Sequence, residues 1–207
     1  MPPGAVFFSV EYRADGTVVC RGQPSFSSGH RVPSVDPACA DGIFGEWQWD
    51  GERLTVRNDR YGCFPLFYWR TDRSLAVSNS IVQLLNEGAP PTLDAPAVAA
   101  FLRLGFFLGE DTAFEAIRSV PPACTMTWSH GRFDQRSRYS FRQAAELSRD
   151  DAIDGFIERF RRAVERRLGA GPAHVPLSGG RDSRHILLEL CALGRPPAAC
   201  EIGRAHV

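Results

Sequence analysis

A short apolar segment, Val175-Pro176-Leu177, runs into Ser178-Gly179-Gly180-Arg181-Asp182-Ser183, and a helical pattern, Arg184-His185-Ile186-Leu187-Leu188-Glu189-Leu190, follows at once. That succession predicts a strand, a tight turn and a helix, and it commits this end of the chain to an α/β arrangement. Two adjacent glycines let backbone N–H groups turn toward one point, because neither carries a Cβ that forbids the conformation. A helix starting at Asp182 or Ser183 aims its unbonded N–H groups and positive dipole end at the same place, where Ser178 and Ser183 add hydroxyl donors. The spacing is not that of the Walker A loop, which has four residues between its glycines and then Lys-Ser/Thr. Two readings stay open at this level. One is a site for a pyrophosphate or polyphosphate; the other is a plain strand–turn–helix junction with Asp182 or Ser183 as its N-cap.

Upstream, the first ~80 residues read as β structure broken by turns. Val6 to Tyr12 and Thr17 to Arg21 flank Asp15-Gly16, and Ile43 to Trp49 and Leu54 to Arg57 flank Asp50-Gly51; both are expected to be type I′ hairpins. Leu66 to Arg70 and Leu75 to Ser78 surround Thr71 to Ser74 as a third hairpin. Gln23 to Ala40, rich in Ser, Pro and Gly, reads as loop. Phe44, Trp47, Trp49, Phe64, Phe67, Tyr68 and Trp69 suit the packing surfaces of stacked sheets.

From Ser80 the period changes to about 3.6. Ile81 to Leu85 predicts a short helix, and Ala97 to Leu104 another with Asp94 as cap and Pro96 in its first turn. Ile117 to Trp128 and Arg132 to Tyr139 read as extended around a His130-Gly131 turn. Ser148 with Asp151 three residues on starts a helix like a capping box. Its apolar stripe, Ile153, Phe156, Ile157, Phe160, Val164 and Leu168, is expected to run until Gly169, Gly171 and Pro172 end it. A domain boundary between about Phe141 and Arg149 follows.

Composition narrows the function classes. Lys plus Arg and Asp plus Glu number 24 each, so no global field favours nucleic acid or an anionic membrane. Arg159, Arg161, Arg162, Arg166 and Arg167 therefore read as the solvated face of one helix. Met1-Pro2-Pro3-Gly4 shows no basic region leading into an apolar run, and no stretch reaches the ~20 apolar residues of a membrane span. The six cysteines are scattered without a C-x-x-C pair, so reduced thiols, a cytoplasmic location and no zinc site are expected.

The Ser178 to Ser183 loop resembles the SGGxDS loop of the PP-loop ATP pyrophosphatases, which cleave ATP between its α and β phosphates. Asp41-Gly42-Ile43-Phe44-Gly45-Glu46-Trp47-Gln48-Trp49-Asp50, then Arg57-Asn58-Asp59-Arg60-Tyr61-Gly62-Cys63-Phe64-Pro65-Leu66-Phe67-Tyr68, is similar to the class II glutamine amidotransferase signature, G-x-F-A-F-x-x-W-D and R-D-R-F-G-x-x-P-L-Y-Y in asparagine synthetases. Phe114-Glu115-Ala116-Ile117-Arg118-Ser119-Val120-Pro121-Pro122-Ala123-Cys124 resembles that family's F-x-G-I-x-x-L-P-P-G-H segment. Together these stretches resemble the asparagine synthetase superfamily, which includes the β-lactam synthetases and lasso-peptide cyclases.

The resemblance implies an α+β Ntn-hydrolase-like sandwich of antiparallel sheets over residues 1–145. Residues 146–207 would supply the first strand, loop and helix of an α/β PP-loop domain. It implies an ATP-dependent, AMP-forming amide-bond ligase, which adenylates a small-molecule or peptide carboxylate before ammonia or an amine attacks. ATP would be held by Leu177, Ser178, Gly179, Gly180, Asp182 and Ser183, with Asp182 also organising Mg²⁺ and Ile202 near the adenine. Arg181, where the family has Leu, either contacts phosphate or faces solvent, and His185 reads as an ordinary helix residue. No catalytic residue is assigned.

The departures from the pattern matter as much. Pro2 stands where the family has its nucleophilic cysteine after the initiator methionine, and the R-L-S-I and N-G-E-I-Y-N segments that hold glutamine are not found. Glutamine hydrolysis is therefore expected to be absent, as in the β-lactam synthetases and lasso cyclases. The family's synthetase domain continues far beyond its phosphate loop, so a fragment, or completion by a partner chain or homodimer, is expected. A non-catalytic nucleotide-binding or interaction module is the rival reading, and a glutamine-dependent asparagine synthetase with a misassigned start the third.

Overall fold

The computed structural model describes residues 4–32, 41–139, 146–197 and 199–202. The chain divides into two compact units, residues 1–141 and 142–207.

Unit 1 contains two five-stranded sheets. The first has the order β2 (Val18–Gly22), β1 (Phe7–Tyr12), β7 (Ser74–Ser78), β6 (Phe67–Arg70), β8 (Ile117–Ser119). The second runs β10 (Arg132–Ser137), β9 (Cys124–Ser129), β5 (Leu54–Asn58), β4 (Asp41–Trp49), β3 (Ser25–Val32). Every pairing in both is antiparallel. Alternate residues of each sheet meet in one core: Phe8, Val10, Leu75 and Val77 from the first, Trp47, Val56, Met126 and Trp128 from the second. This two-sheet architecture is compatible with an Ntn-like sandwich.

The two outer faces differ because the sequence alternation differs. In β7 and β6, Ala76, Phe67 and Trp69 point away from that core and pack with Leu84, Ala89 and Ile117 under α1 (Ile81–Asn86). The second sheet instead turns Ser25, Ser27, Gln48 and Arg57 outward, all exposed, as suits an antiparallel sheet buried on one side. Asp94 caps α2 (Ala95–Leu104) as expected, its side chain accepting from the Ala97 N–H, and Ser80 caps α1 by accepting from the Gln83 N–H.

Several local expectations need correction. At Asp15-Gly16 the N–H of Gly16 donates to the Arg13 carbonyl and that of Arg13 to the Thr17 carbonyl, and only Gly16 has positive φ. That is a type I turn with a G1 bulge, not a type I′ turn, because a non-glycine such as Asp15 resists the left-handed region. At Asp50-Gly51 the two-residue loop is Gly51-Glu52, closed by the Asp50 N–H donating to the Arg53 carbonyl, and positive φ falls on Gly51 alone. This is the type II′ pattern.

Within the segment read as loop from Gln23 to Ala40, Ser25–Val32 is an eight-residue edge strand; residues 33–40 lie outside those described. Only Phe26 and Val32 of that strand are buried, so it carries little apolar signal of its own. Its conformation comes from β4, where a Cβ on Gly29 would stand 2.1 Å from the Ile43 carbonyl oxygen. Ile117 to Trp128 is not one extended run either. β8 and β9 belong to different sheets, and Val120 to Ala123, with Pro121-Pro122, carry the chain between them.

Unit 2 holds α3 (Arg149–Glu165), β11 (His174–Leu177), α4 (Arg181–Ala192) and β12 (Ala199–Ile202). β11 and β12 pair in parallel, with Leu177 opposite Ile202. Ser148 caps α3, its Oγ accepting from the Asp151 N–H at 3.1 Å and donating to the Asp151 carboxylate at 2.7 Å. The helix stops at Glu165, before Leu168, and the last residues tighten into bonds from Arg167 to Val164 and from Leu168 to Glu165. No residue of α3 is buried; Ile153, Phe156 and Ile157 are exposed, while Phe160 and Val164 are half-buried. Val175 and Leu190 are the buried residues of this unit's core. No described helix is long and apolar enough to cross a membrane.

Candidate functional site

The turn between β11 and α4 gathers five of the six residues singled out in the sequence, and Leu177, half-buried, ends the strand that delivers them. Gly179 has φ +77°, a backbone shape that L side chains rarely adopt, and a Cβ built on it would meet nothing within 4 Å. The turn is therefore tight in its backbone and open in front. Helix α4 begins at Arg181, one residue ahead of the expected start at Asp182 or Ser183, with Gly180 as N-cap in extended conformation (φ −75°, ψ 169°). The reason is steric: the backbone geometry around the glycines sets the cap, and the cap-forming side chains lie within the first turn of the helix.

The consequence is chemical. A glycine N-cap has no side chain to accept from the first-turn N–H groups, so those donors face outward at the positive end of the helix. Asp182 sits in that first turn and is exposed. The Ser183 hydroxyl lies 3.4 Å from the Ser178 hydroxyl, donates to the Gly180 carbonyl at 3.4 Å and accepts from the Ser178 N–H at 3.4 Å. These long contacts bring both hydroxyls to one mouth. Arg184 folds back, its Nε donating to the Gly180 carbonyl at 3.1 Å, whereas Arg181 is exposed. His185, exposed on α4, stands edge-on to Phe160 with ring centroids 6.4 Å apart.

Among the described residues, no group of three or more His, Cys, Asp or Glu side chains could hold a metal ion. Asp182 thus has no protein ligand set beside it. A lone carboxylate suits Mg²⁺ only where phosphate oxygens and water supply the remaining ligands.

Unit 1 contains a second conspicuous turn, whose role the sequence does not announce. The carboxylate of Asp59, fully buried, accepts from the N–H groups of Tyr61 (3.0 Å), Cys63 (3.0 Å) and Phe64 (2.8 Å). Its neighbour Asn58, also fully buried, donates through Nδ2 to the Pro121 carbonyl at 2.7 Å and accepts through Oδ1 from the Cys124 N–H at 3.0 Å. The Ala123 N–H donates to the Asp59 carbonyl at 2.9 Å. So the Arg57–Tyr68 and Phe114–Cys124 stretches meet directly, and Asn58-Asp59 is the joint that holds the β8–β9 crossing. The Asn-Asp pair just before a glycine was the available signal, since both residues favour side-chain-to-backbone turns.

Burial pushes the Cys124 thiol up to about 11, and burial also raises that of the exposed Cys20. A nucleophilic cysteine needs the opposite shift. Burial, reinforced by its 2.7 Å hydrogen bond to Glu110, likewise pushes the Tyr68 phenol up. The Glu110 carboxylate also accepts from Gln135 at 3.0 Å, so it ties the connection after α2 to the sheets.

Residues 38–140 match a family model described as a glutamine amidotransferase domain. The matched segment contains the stretches Asp41 to Asp50, Arg57 to Tyr68 and Phe114 to Cys124, and stops short of unit 2. Over residues 38–140 unit 1 is thus similar to a glutamine amidotransferase domain, and the Asn58-Asp59 joint lies within the matched segment. The chain matches no curated protein.

Proposed function

We propose that the chain acts in ATP-dependent, AMP-forming amide-bond ligation of the asparagine synthetase kind, with unit 1 as a scaffold that does not hydrolyse glutamine and unit 2 as the ATP site. The observation that carries the reading is the open turn at Gly179, where a side-chain-free N-cap leaves the amides of α4 directed outward between two hydroxyls. Such a concavity suits a polyphosphate, because the donors are fixed in place and the helix end carries partial positive charge.

A carboxylate is a poor electrophile, since its charge is shared over both oxygens. ATP supplies the activation: AMP passes to the carboxylate oxygen, pyrophosphate leaves, and ammonia or an amine then displaces AMP. The residues here would act on the leaving end. The Gly179 and Gly180 amides, the first turn of α4 and the hydroxyls of Ser178 and Ser183 would hold the β and γ phosphates and stabilise the charge they gain. Asp182 would hold Mg²⁺ together with those phosphates, and the backbone of Leu177 would contact the nucleotide. Arg184 donates to the Gly180 carbonyl, and the exposed Arg181 would be free to add a phosphate contact or to face solvent. Burial raises the thiols of Cys20 and Cys124, opposite to the shift a nucleophile at either position would need. Cys20, Cys63, Cys124 and Cys191 are free thiols, in keeping with a cytoplasmic location.

A second reading, a module that binds nucleotide without turning it over, is favoured by one observation: Asp182 has no metal-holding group around it among the described residues. Titration of the whole chain with ATP and Mg²⁺ by calorimetry, beside Gly179→Val, tests the shared part. Saturable binding that the variant loses supports both readings, and unchanged affinity in the variant refutes the phosphate role. Pyrophosphate–ATP exchange in the presence of carboxylates then separates the two.

A further inference from the structure

We draw no further inference here: the strongest candidate, the apolar groove of unit 2 lined by Phe160, Val164, Ile186 and Leu190 between α3, α4 and β11, is an unpartnered face and nothing in the structure shows what covers it.

Discussion

Two turns in this chain are built from the same residue types and end in opposite states. At Asp59 to Phe64 a carboxylate is fully buried and accepts three backbone N–H groups, so the donors of the turn are consumed by the protein itself. At Ser178 to Ser183 the turn is exposed, its cap is a glycine, and the donors of α4 have no carboxylate beneath them. Aspartate stands before the glycine in the first turn and after the glycines in the second. That order decides whether the carboxylate sits beneath the turn's own N–H groups or in the first turn of the helix that follows. A satisfied turn is architecture; an open one has capacity for a ligand.

The sharpest way to break the contrast is Asp59→Ala. It leaves three partly buried N–H groups without an acceptor, at about 1–3 kcal/mol each. Unit 1 should lose about 3 kcal/mol or more. All four tryptophans lie in unit 1, so urea unfolding followed by tryptophan fluorescence reads this unit alone. A loss below about 1 kcal/mol would mean that the turn is held by something other than its carboxylate.

Gly179→Val is the counterpart in the open turn. A β-branched residue at φ +77° is strained by roughly 1–2 kcal/mol, and its methyls enter the space in front of the α4 amides. Binding of ATP with Mg²⁺ should weaken about ten-fold or more, while the urea midpoint of unit 1 stays unchanged. Ser183→Ala, which removes one of the two hydroxyls without altering the backbone, should weaken binding by a smaller factor.

Tyr68→Phe acts at the joint between the connection after α2 and the sheets. Removing the hydroxyl leaves the Glu110 carboxylate with Gln135 as its remaining side-chain donor shown here, at a cost of about 1–2 kcal/mol. The pH dependence follows from sign. The phenol is raised in the folded state, so its contribution is fully present below its ordinary value near 10 and is lost as pH climbs beyond that. Cys124, raised from about 9 to about 11, gives up its own contribution over an overlapping range. Wild type should therefore lose stability above about pH 10 more steeply than Tyr68→Phe. Identical alkaline slopes would remove Tyr68 from that account.

What the sequence showed in advance, and what it hid, follows the same division between side chains and backbone. The caps Asp94 and Ser148 were legible because capping is a side-chain property with a strong residue preference. Trp47 was legible as a packing residue because a large aromatic side chain in a strand suits a buried sheet face. Strand β3 was not, since S-F-S-S-G-H-R-V buries two residues and takes its shape from a neighbour distant in sequence order. The membership of the loop at Ser178 to Ser183 could be read from spacing, but not the start of α4. Residue preference pointed to Asp182 or Ser183 as cap, whereas the backbone placed Gly180 there.

The smallest expected effect sharpens the comparison between the units through their helix caps. Asp94 caps α2 by accepting from the Ala97 N–H at 3.0 Å, and Ser148 caps α3 by accepting from Asp151 at 3.1 Å. Replacing either by alanine removes one capping bond worth about 1 kcal/mol. The consequences should differ, because α2 buries Ala97 in unit 1 whereas α3 buries no residue at all. Asp94→Ala should move the tryptophan-detected midpoint, as a helix anchored to a packed sandwich shares in its cooperative unfolding. Ser148→Ala should leave that midpoint alone and show itself locally, as amide exchange about five-fold faster in the first turn of α3. A helix held mainly by its cap and its own hydrogen bonds opens from that end without disturbing a core it does not join. Unaltered exchange at Ala152 in Ser148→Ala would show that α3 draws its stability from packing along Phe160 and Val164, and the cap would then be incidental.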